Sequence, residues 1–461
     1  MPDIEGLTEK ENLVPEELDP IAEDGSEDKR LTYLRILGVF VDHALRWDAH
    51  IARVEAKARY KMKCLERING SMWGLDLIEM RRLYLCNVRT VISYACAVWF
   101  VHFDGEGRQL QIRQELIQRL QVLQNSCLRQ VAGAFYQTPS FVLHKELYVD
   151  PIAVHLQRIA MSHRVRTLGT PKGDRLLALL QRPSPGMRSS AVFHSHPYKK
   201  AYDLAKTIWE VMKSTGYRHI NEWGRKSRNH IVNLYFKEQA TVMSGVLWDD
   251  FQRQRNLEQR NDYNARPVAA RGKWGDEHCK LHIGLIRAQS TMLIQCRANV
   301  IGLNSVLKKV KVSLAFVPLQ TFHDSQVDSS SRKRFDTDMC PCGIGRHTVS
   351  HLFFRCPSLE KARAYLPLGS DINQPVTKDI RSTGRPIPRR PGSKHERSRM
   401  KKPEKPGSKR TVKRDLEWLL TERADEATAW AIRHFGIKQF QWTKQHMWFG
   451  PSKRDFPLEG T

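Results

Sequence analysis

The sequence lacks the features that put a chain in a membrane or an oxidising compartment. No apolar run approaches the ~20 residues that a spanning helix needs, so no membrane contact is expected. The opening MPDIEGLTEKENLVPEELD is acidic and has no apolar stretch of the kind that heads a secretory signal, so no leader is expected. In the reducing compartment this implies, the nine cysteines serve metals more readily than disulfides wherever they cluster with histidine. No internal repeat, no Ser/His/Asp or Cys/His nucleophile arrangement and no phosphate-cradling glycine loop is recognisable, so no small-molecule substrate is expected. Acidic side chains are the minority charge. Against 75 Lys+Arg stand 49 Asp+Glu, a net +26 over 461 residues, which favours a polyanionic partner.

That charge is uneven. Residues 1–28 hold eleven acids and one lysine without helical or strand periodicity, the pattern of a disordered tail (1–30). Residues 381–414 hold fourteen Lys/Arg, among them Arg389, Arg390, Lys401 and Lys402, against two Glu. Pro, Gly and Ser punctuate them, so the 366–413 stretch reads as a basic disordered linker. Its KKPEKPGSKR run is also a candidate nuclear address, giving an expected nuclear location.

Between the charged segments the period is mostly helical. LRILGVFV (34–41) is a short β-type run. A helix then starts at Asp48 as its expected cap, with Ile51, Val54, Ala58, Met62, Leu65 and Ile68 on one stripe. A second, six turns long, runs from Asp76 through Leu77, Met80, Tyr84, Val88, Val91, Ala95 and Val98. A third carries Leu116, Leu120, Leu123, Cys127 and Val131; a short fourth begins at Thr138, and a fifth starts after Asp150-Pro151. Short connections predict an antiparallel helical bundle over 31–169. Its polar faces carry Arg53, Lys57, Arg59, Lys61, Lys63, Arg67, Arg81, Arg82 and Arg89. These are either an ordinary solvated surface or a track for a phosphate backbone, with Arg53, Lys57, Lys61, Arg81 and Arg82 as candidate contacts. Residues 170–281 give weaker signals, one clear helix (KKAYDLAKTIWEVMK) among loops. A helical region from 282 leads to a cysteine cluster ending near 365, and one last amphipathic helix (414–461) stops at Gly436. The expected fold class is mainly α, with a short β segment at its start.

The cysteine cluster, MCPCGIGRHTVSHLFFRCP, places Cys340, Cys342, His351 and Cys356 within seventeen residues. Three Cys and one His form a common tetrahedral zinc set, and four protein ligands close the site, so the expected zinc is structural. Pro341, Gly343 and Gly345 let the chain reverse between the ligands. His347 is a rival fourth ligand. So small a finger has almost no core of its own, and metal would supply its folding energy. Its aromatics, Phe354 above all, are candidate base-stacking groups. HCKLH (278–282) and HSH (194–196) offer too few ligands for a metal.

The residues LGVFVDHALRWDAHIARVEAKARYKMKCLERINGSMWGLDLIEMRRLYLCNVRTVISYACAVW resemble the segment after the palm in reverse transcriptases of non-LTR, LINE-like retrotransposons. The points of likeness are Leu37-Gly38, Trp47 with His50, Trp73-Gly74, and Tyr94 with Trp99. LQVLQNSCLRQVAGAFYQTPSFVLHKEL is similar to the connection that comes next in that family. The Cys340, Cys342, His351, Cys356 set matches its CCHC knuckle, and ATAWAIRHFGIKQFQ resembles the tail of fungal elements. The likeness covers about 33–168 and 283–365 plus that tail. It implies thumb and connection helices, a zinc knuckle and RNA or single-stranded DNA as partner.

Two departures argue against catalysis of the family's kind. The paired palm aspartates belong before Leu37, where only the acidic segment stands, and LWDDF (Asp249, Asp250) falls in a helical context far downstream. The carboxylate strand of an RNase H domain is also missing; the one DGS is Asp24-Gly25-Ser26 in the acidic tail. The expectation is therefore a remnant without catalytic residues. The alternatives are a zinc-stabilised interaction scaffold with Trp-rich faces, or a non-functional gene fragment.

Overall fold

The computed structural model describes residues 33–101, 112–168, 170–181, 197–214, 225–258, 267–310, 337–366 and 409–446. The acidic tail, His194, His196 and the linker residues Arg389, Arg390, Lys401 and Lys402 lie outside them. The protein is mainly helical, with one two-stranded sheet at its start. The chain divides into two compact units. One is Met1–Glu258 with Gly272–Arg287; the other is Gln259–Arg271 with Ala288–Thr461.

The first unit opens on the antiparallel strands β1 (Tyr33–Ile36) and β2 (Val39–Asp42), with Ile36 opposite Val39. The two-residue turn Leu37-Gly38 has φ of 49° and 80°. Two left-handed residues match the right-handed twist of a hairpin, and glycine adopts that region without strain. The Tyr94 hydroxyl donates to the Leu37 carbonyl at 2.9 Å and pins the turn.

Helix α1 (Asp48–Glu66) buries His50, Ile51, Val54, Ala58, Met62 and Leu65. Ile68, expected on that stripe, lies past the helix end and is exposed. Asp48 is not its cap. It is the first helical residue, and the preceding turn is held by Asp42, whose carboxylate accepts from the N–H groups of Ala44, Arg46 and Trp47. Burial works against that charge, but these N–H groups hold the Asp42 carboxyl below its ordinary value.

The six-turn helix expected over 76–98 is broken. Its expected start at Asp76 holds, and Asp76 also caps it, accepting from the Glu79 N–H at 2.8 Å. α2 (Leu77–Leu83) then runs into a π turn (Tyr84–Val88), α3 (Arg89–Ile92), a left-handed residue at Ala95 and α4 (Cys96–Trp99). A π turn inserts one residue and rotates everything after it by one position. The buried stripe therefore continues through Val88, Ile92, Cys96 and Trp99, and Val98 faces solvent.

Helix α5 (Gln114–Ala132) buries all five expected residues and ends on Gly133 in the left-handed conformation. α6 (Ser140–Glu146), α7 (Ile152–Leu168), α8 (Pro171–Gln181), α9 (Pro197–Ser214), α10 (Arg225–Glu258) and the short α11 (Glu277–Lys280) complete the unit. α7 is central, packing on α4, α5, α8, α9 and α10. Met161, Val165, Ala201, Ala205, Ile208, Val232 and Phe236 form one core there. The weakly patterned 170–281 region thus holds a 34-residue helix. Its buried line, Val232, Phe236, Ala240, Ser244 and Trp248, repeats every four residues.

In the second unit, α12 (Arg287–Ala298), which starts at the unit boundary, is buried nearly all round. α13 (Asn304–Val310), the finger with α14 (Val349–Phe354) and α15 (Glu360–Arg363), and the C-terminal α16 (Lys409–Glu422), α17 (Ala424–His434) and α18 (Gln441–His446) come after it. The single C-terminal helix expected from the sequence is two helices, interrupted at Arg423 (φ −125°, ψ 35°). Among the described residues no helix is long and apolar enough to cross a membrane.

Candidate metal centre and cationic surface

The finger is built by a tight reversal and a very short helix. Met339 and Arg346 form an antiparallel bridge, and the Cys340 N–H donates to the Gly345 carbonyl at 2.7 Å. Within the reversal, the Gly343 N–H donates to the Cys340 carbonyl at 2.9 Å, with Pro341 at the corner and Gly343 at φ 78°. Thr348 caps α14, its hydroxyl accepting from the His351 N–H at 3.2 Å. The N–H groups of Arg355 and Cys356 both donate to the His351 carbonyl at 2.8 Å, closing the helix so that His351 and Cys356 turn to the same side.

The result brings together all four expected ligands. The side-chain donors of Cys340, Cys342, His351 and Cys356 lie within 4.8 Å of one another, an arrangement that could hold a metal ion. The Cys340 and Cys356 sulfurs are 3.8 Å apart, and Cys342 Sγ is 3.2 Å from His351 Nε2. Burial, reinforced by the neighbouring thiols, pushes Cys340 up to about 12. The Ile344 N–H leads in holding the Cys342 thiol below its ordinary value. Burial, with Arg355 and Arg363 nearby, lowers His351, which favours the neutral imidazole that can ligate. Three thiolates this close repel one another, and a cation between them removes that cost. His347 is elsewhere: its Nδ1 accepts from the Asn304 N–H at 3.1 Å.

The finger is not coreless. Val349, Leu352 and Phe353 are buried, and the Phe353 ring stacks on Trp430 (5.4 Å, 25°) and meets Phe435 edge-on at 5.0 Å. Trp430 Nε1 donates to the Ala362 carbonyl at 2.9 Å. Phe354 is half-buried, tilted against Phe353, and so less open to stacking than expected; Met339, Ile344 and Tyr365 are exposed.

No family model, curated protein or solved structure matches the chain.

The cationic candidates separate into two sets. On α1, Lys57 is exposed and Arg53 and Lys61 are half-buried on the same face, beside Tyr60 and Arg67, which are exposed; Arg82 is exposed on α2. Arg81 is committed, donating to the Leu147 and Tyr148 carbonyls beyond α6. Arg89, expected on the polar face, is buried 3.6 Å from Asp150, because the π turn carries it inward. Arg164 donates to the Ala97 and Phe100 carbonyls at the end of α4 (2.9 and 2.8 Å). Arg287 donates to Gln130 and Val131 at the end of α5 and to Gly70 in the turn after α1, and Arg297 to Leu420 in α16 at 3.1 Å. The last carbonyls of a helix have no partner within it and carry partial negative charge, so an arginine fork satisfies them well. The sequence reading missed this use of arginine because no local pattern marks it.

Leu37, Trp47, His50, Tyr94 and Trp99, singled out in the sequence, also cluster. Tyr94 reaches Leu37, Trp99 Nε1 donates to the Tyr94 carbonyl at 2.9 Å, and the His50 ring lies 5.4 Å from Trp99 and 6.5 Å from Trp47. They join the hairpin to α1 and α4, a structural task. Asp249 and Asp250 lie within α10, where Asp250 pairs with Arg253.

Proposed function

We propose that the chain derives from the C-terminal part of a non-LTR retrotransposon reverse transcriptase and binds RNA or single-stranded DNA, with a structural zinc in the finger. On this reading the first-unit helices are a thumb-like bundle and the chain works in the nucleus. The observation that carries the zinc is the 3.8 Å sulfur–sulfur separation. Two sulfurs at ~2.3 Å from a tetrahedral zinc stand roughly 3.8 Å apart. Four protein ligands leave no open position for a reacting water, which makes the metal structural. Elemental analysis after chelator-free purification should find one zinc per chain, lost in Cys356→Ser.

The nucleic-acid reading is supported by the net charge and by the exposed side chains of Lys57, Arg67, Arg82 and Tyr60, which combine phosphate-neutralising groups with a stacking surface. With about five phosphates engaged, affinity should fall roughly a hundredfold between about 50 and 200 mM salt. A filter-binding series with no salt dependence would rule it out. The scaffold reading keeps one supporting observation, the exposed Leu234, Val242, Met243 and Val246 on α10. Of the chain's tryptophans, Trp47, Trp99, Trp248 and Trp430 are buried, while Trp73 and Trp442 are exposed.

A further inference from the structure

The finger helix α14 has six residues and two working sides. On one, His351, with Cys356 just beyond the helix, faces the metal position. On the other, Phe353 lies against Trp430 and Phe435 of the C-terminal region. Isolated helices shorter than about twelve residues do not hold in water, so α14 depends on what grips it. The grip continues past Cys356. Arg363 donates to the Cys356 carbonyl at 2.7 Å, and one residue before it the Ala362 carbonyl takes the Trp430 indole N–H. α14 also packs on α16. The ligand-bearing segment is therefore the surface on which the C-terminal helices are seated, although Phe353 and Trp430 stand far apart in sequence.

From this we infer that metal loading of the finger and seating of α16 and α17 are one cooperative event, so that the metal locks the C-terminal helices and its release frees them. The inference rests on the zinc reading above. With the ion gone, α14 loses one of its two supports. Phe353 then leaves the Trp430–Phe435 cluster, and the Ala362 carbonyl leaves the indole. By linkage the coupling runs both ways: unseating α17 must weaken metal retention by the same factor.

Hydrogen exchange on the full chain, before and after chelation, tests it, with metal content monitored by elemental analysis. Chelation should speed exchange at least tenfold in 349–363 and also in 424–437, and leave 114–132 unchanged. Loss of the metal with 424–437 still protected overturns the inference while leaving the zinc reading intact. A chain that takes up no zinc even when supplied with it overturns both. In the reverse direction, Trp430→Ala should release zinc to a chromophoric chelator about tenfold more readily, within the usual range of site-to-site coupling. Trp430→Phe, which keeps the ring stack but loses the bond to the Ala362 carbonyl, should fall between the wild type and Trp430→Ala. Unchanged retention in Trp430→Ala, with 114–132 protected as before, refutes the coupling.

Discussion

Helices α5 and α14 are held by different means. α5 has nineteen residues, a continuous buried stripe and a glycine at its C-terminal end. Its stripe and its cap are local, and a distant aid is Arg287, which satisfies the Gln130 and Val131 carbonyls. α14 has six residues; it lies against Trp430 and Phe435 of the C-terminal region, and its His351 joins Cys340, Cys342 and Cys356 in a cluster that could hold a metal ion. The first kind of element degrades by degrees when a side chain is trimmed. The second should fail as a whole.

That contrast is broken most directly at the finger. Cys342→Ser should abolish metal binding and remove exchange protection from 337–366, with α5 still protected. Protection persisting in a metal-free finger would show that the aromatic contacts suffice. The matching change in α5 is Leu120→Ala, at a fully buried position. It should cost about 2–5 kcal/mol in first-unit stability by denaturant titration and leave metal content at the wild-type level.

Acid should act on the first unit through its buried histidines. Burial lowers both His50 and His144 to about 4 from 6.5. The unfolded chain then binds more protons between those values. Stability is full above pH about 6.5 and falls as the pH drops toward 4, by roughly 3 kcal/mol for each histidine. Measuring first-unit unfolding from pH 7 to 4 checks it, and a flat profile would contradict the burial. Arg287→Met, which removes the donor to two carbonyls at the end of α5 and to the Gly70 carbonyl in the turn after α1, should cost about 1–3 kcal/mol of stability by denaturant titration. Lys57→Ser, on the exposed face of α1, should change stability by less than about 0.5 kcal/mol. If Lys57 meets a phosphate, the same change lowers the salt slope of RNA binding by about one.

Legibility tracked locality. The stripe of α5, the helix start at Asp76 and the four clustered donors of the finger were all readable, because each is a short-range pattern with one dominant cause. The π turn in 84–88 was not. One inserted residue leaves the apolar spacing plausible on either register, and only burial shows that Ile92, Cys96 and Trp99 replaced Val91, Ala95 and Val98. α10 was missed because its buried line alternates large and small side chains, Phe236 and Trp248 with Ala240 and Ser244, and its outer face carries apolar residues too.

By itself the sequence determined the chain's helical character, its strong positive charge and the set of soft donors in one short segment, because each depends on residue identity and near-neighbour spacing. Tertiary structure alone decided which positive charges face solvent and which, like Arg164 and Arg287, satisfy the open ends of helices. It also decided that the finger rests on Trp430. A side chain's partners across tens of residues depend on where the folded backbone brings unpaired carbonyls and ring faces, and no local pattern encodes that.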